Sequence, residues 1–456
     1  MDIKGQKILV IGLAVSGIPT VQVLSEMGAR IMVNDRKKAQ DLEEGLKQLS
    51  GIQADYVLGE HPVRLAEWPD FAVISPGVPP GIPLVQELMK KGKEVISEVE
   101  LSFRLMEAPV VAITGTNGKT TTTALTGQVF KESGRNTYVV GNIGKPIISV
   151  ASSALENDVV VAEISSFQLE GIAMFRPKSA AILNITPDHL DRHGTFQNYV
   201  DAKARIFENQ DQGDFLVLNA DDEVTAGLGH KSRARVVHFS RRKVLEAGSF
   251  VQDGYIVVGE GNAKEKICLA SELRIPGTHN LENALAAAAL GWTMGVPFES
   301  IEKALKSFEG VEHRLERVDV VNGVSYINDS KGTNPDASIK AIQAVEKPII
   351  LIAGGYDKGS SYEEFVKNFD DKVKAVVLLG ETAEKIKKTC QNNGFNNIYI
   401  VDSVEEAVNC ASGMAVSGDT VLLSPACASW DMFRNFEERG EAFKKAVQSL
   451  RRIQHE

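Results

Sequence analysis

The segment ITGTNGKTTTTALTGQVF, Ile113 to Phe130, places two glycines, a lysine and a run of threonines where an apolar stretch meets a helical pattern. A buried strand that turns through Gly115, Thr116, Asn117 and Gly118 into a helix aims backbone N–H groups and the positive helix end at one point. That arrangement cradles a triphosphate. Lys119 adds a cation near the phosphate that would be transferred, and the Thr120 hydroxyl can ligate magnesium. Thr121 completes the first turn. The usual pattern has glycine at position 113, where this chain has isoleucine, so the loop is a shorter variant, GTNGKTT.

Such a loop alone would fit a GTPase switch, a kinase or a motor. Two more residues narrow the choice. Glu163 ends the run VVVAEIS, and His189 follows AAILNIT in NITPDHLDRHG. If both runs are strands parallel to the phosphate-loop strand, a carboxylate and an imidazole reach the phosphate end. That pair suits a divalent cation beyond the one Thr120 holds. On its own, His189 reads equally well as a loop-capping residue. Lys203, in YVDAKARIF, lies on an amphipathic helical pattern, where a lysine normally faces solvent.

Near the N-terminus, VIGLAVSG follows a strand pattern as a dinucleotide-binding turn does, but its middle glycine is Ala14. A methyl group there would hinder close approach of a pyrophosphate. Asp35 ends the second strand pattern, where a ribose-binding acid sits. A nucleotide held by Val15, Ser16, Asp35 and Arg36 in another pose is equally consistent. The segment ISPGVPPG, which includes Gly77, adds a loop at the same sheet edge.

The elements that must position these residues follow from the alternation of short β-branched runs with helical patterns along the whole chain, the signature of parallel sheets with crossover helices. The fold class is therefore α/β, with mainly parallel sheets flanked by helices. The length of 456 residues suggests about three domains. We place them at 1–98, 99–309 and 310–456. The last block has the cleanest alternation, and its strands end in the polar segments NDSKGTN, AGGYDKG, LLGET and SPACASWD. Ligands bind at the carboxyl ends of parallel strands, so these segments predict a binding rim.

Composition excludes several classes. A net charge of -10 argues against non-specific nucleic-acid binding, which needs a clustered positive field. No apolar run approaches the ~20 residues needed to cross a bilayer. The N-terminus carries no signal-peptide pattern, and the expectation is a cytoplasmic protein. Cys268, Cys390, Cys410 and Cys427 show neither zinc-type nor disulfide-framework spacing and read as reduced thiols.

With these residues in view the chain resembles the Mur ligase family over essentially its whole length. The resemblance rests on GLAVSG, SPG, TGTNGKTT, GNIG, EISSFQLE, NITPDHLDRHG, the lysine of YVDAKARIF, HNLENALAA, EHRLE, NDSKGTNP, GGYDKG and LLSPACASWDMFRNFEERG. It implies an N-terminal Rossmann-like domain for a UDP-linked precursor, a central P-loop ATPase and a C-terminal Rossmann-like domain for an amino acid. It also implies an activity: ATP phosphorylates the L-alanine carboxylate of UDP-N-acetylmuramoyl-L-alanine, and an amino acid attacks the acyl phosphate. The stretch SPACASWDMFRNFEERG, and the lack of a DNPR-like segment, favour D-glutamate as that amino acid.

Carried over by position, the resemblance makes Lys119, His189 and Lys203 the catalytic set. Gly115 to Thr121, with Asn283, Arg314 and Asp329, would bind ATP. Thr120, Glu163, His189 and a carbamylated Lys203 would serve magnesium. Val15, Ser16, Asp35, Arg36 and Gly77 match the uracil-nucleotide end of the precursor, and Asn142, Ser165 and Gln168 its sugar–alanine end. Thr333, Lys358, Ser429 and Phe436 match D-glutamate contacts. Trp430 stands where the family pattern has a smaller apolar residue. The protein is expected to act as a monomer on small molecules, without a nucleic-acid or membrane partner. Two other classes remain on the residues alone: an NAD-dependent oxidoreductase built on the first turn, and a P-loop switch that hydrolyses nucleotide.

Overall fold

Strand-forming runs separated by crossover helices build three sheets in the computed structural model, which describes residues 1–13, 15–142 and 144–452. The first sheet contains β1 (Lys7–Ile11), β2 (Arg30–Asp35), β3 (Ala54–Leu58), β4 (Phe71–Ile74) and β5 (Glu94–Ser97). They are ordered β3-β2-β1-β4-β5, and every pair is parallel. The order reverses between β1 and β4, so their carboxyl ends form a crevice.

The second sheet comprises β6 (Val110–Thr114), β7 (Thr137–Gly141), β8 (Val159–Glu163), β9 (Ser179–Ile182), β10 (Phe215–Asn219), β11 (Arg235–Ser240), β12 (Ala247–Gln252), β13 (Tyr255–Glu260) and β14 (Glu265–Leu269). Their order is β14-β13-β12-β11-β10-β9-β6-β8-β7. The strands β12, β13 and β14 pair antiparallel, so the shorter strands with turns legible after Val236 form an antiparallel extension of a parallel sheet. The strands β6, β8 and β9 are buried along their whole length. Coverage on both faces explains why they read as continuous apolar runs, not as alternating ones.

The third sheet holds β15 (Glu316–Val321), β16 (Val324–Asn328), β17 (Ile349–Ala353), β18 (Val373–Leu378), β19 (Ile398–Ile400) and β20 (Thr420–Leu423), in the order β15-β16-β20-β17-β18-β19. Only β15 runs antiparallel. The chain divides into two compact units, one of Met1–Glu272 with Glu282–Ser307 and one of Leu273–Leu281 with Phe308–Glu456. The first unit carries the first two sheets and the second unit the third.

The alanine-rich stretch from Ala284 to Leu290 is fully buried within the helix Thr278–Thr293. Among the described residues no helix is long and apolar enough to cross a membrane. All four cysteines are free thiols.

The helix Glu98–Leu105 joins the first two sheets. Ser97 caps it by accepting from the Glu100 N–H at 3.3 Å. Fully buried Glu100 accepts from the backbone N–H groups of Ala173, Met174 and Phe175 at 2.8–3.0 Å and from Arg104 Nε at 2.7 Å. A buried carboxylate that satisfies three amides and a guanidinium holds the 173–175 turn to this helix. Glu100→Ala leaves those donors unpaired and is expected to destabilise the first unit by about 3–5 kcal/mol. An unchanged urea midpoint for that variant would contradict this assignment.

Candidate active site

The strand β6 lies between β9 and β8 and is parallel to both, with Ile113 level with Glu163 and Thr114 level with Ile182. Both neighbouring strands therefore end beside the phosphate loop. The run AAILNIT leaves the strand at Ile182, sooner than its apolar pattern suggests, because the next residues clamp the loop. Asn184 is the clamp. Its backbone carbonyl accepts from Thr116 N–H at 2.8 Å, and its side chain exchanges hydrogen bonds with the Asn117 N–H and C=O at 2.9 and 3.0 Å. Thr116 Oγ1 is held between the Thr186 N–H and C=O.

The helix Lys119–Glu132 begins after Gly118, which is left-handed at φ 86°. A Cβ there would lie 2.3 Å from Asn283 Oδ1, so only glycine fits. Asn283 itself is buried and accepts from Thr122 Oγ1 at 3.2 Å, which places the adenine-contact candidate against the start of the phosphate helix. Thr120 and Thr121 are buried in its first turn. Lys119 folds back over the loop and donates to the carbonyls of Gly115 and Thr116 at 2.9 and 2.8 Å.

Lys203 corrects the solvated-face reading of its helix. Its side chain is buried, at 1% exposure, and Nζ donates to the same Gly115 carbonyl at 2.8 Å. The Tyr199 ring lies 4.5 Å away. Burial, reinforced by the nearby Lys119 cation, holds its amine well below the usual lysine range against the pull of Asp188 and Glu163. Glu163, 2% exposed, accepts from Asn142 Nδ2 at 3.0 Å through Oε1. Its Oε2 is buried and has no hydrogen-bond partner among the described residues. His189 stands where a loop-capping residue would, without a capping bond from its side chain. It takes a left-handed backbone, φ 52°, at the N-cap of the helix Leu190–His193, while its ring packs 4.9 Å from Phe167 and 3.5 Å from Asp188.

At the first sheet, Val15 is 78% exposed and Ser16 Oγ lies 3.4 Å from Ser75 Oγ. Both oxygens of Asp35 accept backbone N–H groups, from Leu13 at 2.7 Å and from Lys37 at 2.8 Å. Asp35, Arg36, Gly77, His61 and Ser75 line one cavity of about 320 Å³. Ala14 lies outside the described residues. Ser165 and Gln168 close a reciprocal capping box on the helix Ser166–Leu169, so each already has a structural task.

In the second unit the carboxyl ends of β16, β20, β17 and β18 are adjacent, as the polar segments after those runs led one to expect. Fully buried Asp329 accepts from Ser424 Oγ at 2.8 Å and lies 3.4 Å from Arg314. Burial pushes its carboxyl above the usual range, with Arg314 opposing. Thr333 is half-buried, Ser429 is buried, and Phe436 presents its ring 4.9 Å from the Lys331 ammonium. Lys358 points its ammonium at the Trp430 ring, 5.6 Å from the centroid, and Tyr356 flanks that indole at 5.5 Å. Trp430 is 63% exposed.

With this geometry in hand, the comparisons with known proteins decide the family. Residues 113–291 match the Mur ligase middle domain, 313–427 the Mur ligase glutamate ligase domain, and 6–97 the Mur ligase MurD-like N-terminal domain. The chain is 52% identical to a UDP-N-acetylmuramoylalanine–D-glutamate ligase of Caldanaerobacter subterraneus subsp. tengcongensis over 99% of this chain and 100% of that one. It is 53% identical to the protein of the same name from Alkaliphilus metalliredigens, with the same coverage. This chain belongs to the Mur ligase family. The solved UDP-N-acetylmuramate–alanine ligase of Thermotoga maritima shares its fold at a TM-score of 0.62 and 21% identity, covering 97% of this chain and 99% of that one.

In this Mur ligase, sequence reasoning missed several residues that hold the candidate site in shape. Asn184 carried a faint signal, an asparagine at a strand end beside a glycine loop. His193, stacked on Phe167 at 5.5 Å and 3.1 Å from Ser166 Oγ, was hidden in the NITPDHLDRHG motif behind His189. Arg439 gave no signal. It sits buried in the C-terminal helix and donates to the carbonyls of Ser330, Cys427 and Ala428 at 2.9–3.2 Å, tying NDSKG to SPACAS.

Proposed function

We propose that this chain is an ATP-dependent ligase that joins D-glutamate to the L-alanine carboxyl of UDP-N-acetylmuramoyl-L-alanine. We place it in the cytoplasm, as a monomer, in peptidoglycan precursor synthesis. The same proposal assigns the precursor to residues 1–98, ATP to 99–309 and the amino acid to 310–456. The observation that carries it is the phosphate loop on β6, flanked by strand ends that deliver Glu163 on one side and the His189 segment on the other. A dehydrogenase would leave that constellation without a task. A nucleotide switch would leave the polar strand ends of the third sheet without one.

The residues present fit magnesium. A buried carboxylate oxygen without a partner among the described residues, Glu163 Oε2, is costly unless a cation or donor satisfies it. Glu163, Thr120, His189 and a carbamylated Lys203 would hold magnesium, which when bound offsets the charge of the phosphates. Burial favours the neutral amine of Lys203, the form that adds to carbon dioxide: a C–N bond forms, one proton leaves the nitrogen, and the uncharged amine becomes an anion with two oxygens.

The chain's own part is positioning and charge. Backbone N–H groups from Gly115 to Thr121, with Asn283, Arg314 and Asp329, hold ATP. Lys119 neutralises the transferred phosphoryl group as it meets the L-alanine carboxylate, so two anions can approach. Val15, Ser16, Asp35, Arg36 and Gly77 hold the nucleotide end of the precursor, and Asn142, Ser165 and Gln168 the sugar–alanine end. The D-glutamate amine then attacks the acyl phosphate and phosphate departs. Lys358 would pair with the side-chain carboxylate, with Thr333, Ser429 and Phe436 around the amino acid.

The test is product mass and phosphate release with a panel of amino acids. D-glutamate should yield ligated product and stoichiometric phosphate only when the UDP-linked acceptor is present. L-glutamate, L-alanine, L-lysine and meso-diaminopimelate should not. Phosphate release independent of acceptor and amino acid would instead identify a nucleotide switch.

A further inference from the structure

Asn34 is fully buried in β2, beneath the cavity that Asp35, Arg36, Ser75 and Gly77 line. Its Nδ2 donates to two backbone carbonyls, those of Val57 and Glu60, each at 2.8 Å. Carbonyls only accept, so the orientation of this amide is settled and Oδ1 is its acceptor end. The Oδ1 atom lies 2.6 Å from His61 Nδ1. Two acceptors cannot share that contact, so the imidazole proton resides on Nδ1. In the neutral ring Nε2 is then a bare acceptor, on a residue that lines the same cavity.

Burial lowers the proton affinity of His61 from its ordinary value, with Arg36 acting in the same sense and Asp35 against it. The ring therefore stays neutral near pH 7. No family residue carried over from the motifs occupies this position, and nothing in GEHPVRL marks the histidine as a contact.

We propose that His61 is a specificity-determining contact for the uridine part of the precursor, its Nε2 accepting a hydrogen bond from the uracil imide N–H or from a ribose hydroxyl. This rests on the assignment of the precursor nucleotide to the first sheet. A bare nitrogen at that point rewards a nucleoside that offers a donor and rejects one that offers a second lone pair, because two facing acceptors leave both unsatisfied.

The experiment measures how UDP, 3-methyl-UDP, 2′-deoxy-UDP and 3′-deoxy-UDP compete with the UDP-linked acceptor, in the wild type, His61→Phe and His61→Gln. The phenyl ring keeps the shape and removes the nitrogens. A glutamine can donate to Asn34 with one end and accept with the other. In the wild type the analogue that lacks the contacted donor should bind about tenfold more weakly than UDP. In His61→Phe, UDP should weaken by about the same factor and that analogue should lose its handicap, while His61→Gln restores part of the discrimination. Identical discrimination in the wild type and His61→Phe would overturn the role of His61, as would equal binding of all four probes by the wild type. Failure of UDP to compete at all would instead remove the first sheet as the precursor site. An Arg36→Ala variant separates the cases, because it should weaken all four probes alike if the site is correct.

Discussion

Lys119→Ala is expected to lower ligation by roughly a thousandfold while the fold and the affinity for D-glutamate persist. The side chain rests on the carbonyls of Gly115 and Thr116 at the mouth of the loop. The circular dichroism spectrum of the variant should be unchanged. What is lost is the charge that lets an anionic carboxylate approach an anionic phosphate. Lys119→Arg should recover little, since a planar fork does not occupy the place of a compact ammonium. Turnover within a few-fold of wild type for Lys119→Ala would remove the ATP site from this loop.

The second large effect concerns Lys203. Lys203→Ala should reduce activity by about a hundredfold or more, and added acetate or formate should return part of it. The expectation follows from its place: the side chain is buried, its hydrogen bond goes to the Gly115 carbonyl, and burial disfavours the ammonium form. A lysine serving only as a packed cation would not be replaced by a small anion. Rescue by carboxylates therefore separates a carbamate role from a structural one. If chloride at the same ionic strength rescues as well as acetate, or if full activity survives without additives, the carbamate role is wrong.

Much of this molecule could be read from its residues. The strands β6, β8 and β9 announced themselves as continuous apolar runs, and GTNGKTT marked the turn between strand and helix. Their mutual arrangement followed from the rule that such runs pair in parallel. Other elements were opaque for physical reasons. The strand β3, ADYVL, lies at the sheet edge and buries none of its residues fully, so its apolar signal is weak. The strand β15, ERVDVV, is half-buried at another edge. Buried charge was the least legible feature. Glu100, Lys203 and Arg439 all sit on helices whose patterns fit a solvated face, and each takes at least one partner distant in sequence. Lys203 acquires its burial from the Gly115 loop, 88 residues away in sequence. Conversely, Ser165 and Gln168 looked like substrate contacts, yet much of their hydrogen bonding is committed to each other.

The position of β6 in its sheet also governs when the site comes into being on the ribosome. All strands of the first sheet have been translated by Ser97, before the phosphate-loop strand at Val110–Thr114. That strand then waits for neighbours that end at Glu163 and Ile182. At ordinary translation speeds the delay amounts to several seconds. During that time the nascent chain carries a complete first sheet and a glycine loop with no wall on either side. The walls of the phosphate loop are thus a late acquisition in synthesis, and a chain cut off early would have the strands of the first sheet but lack the loop's two flanking strands.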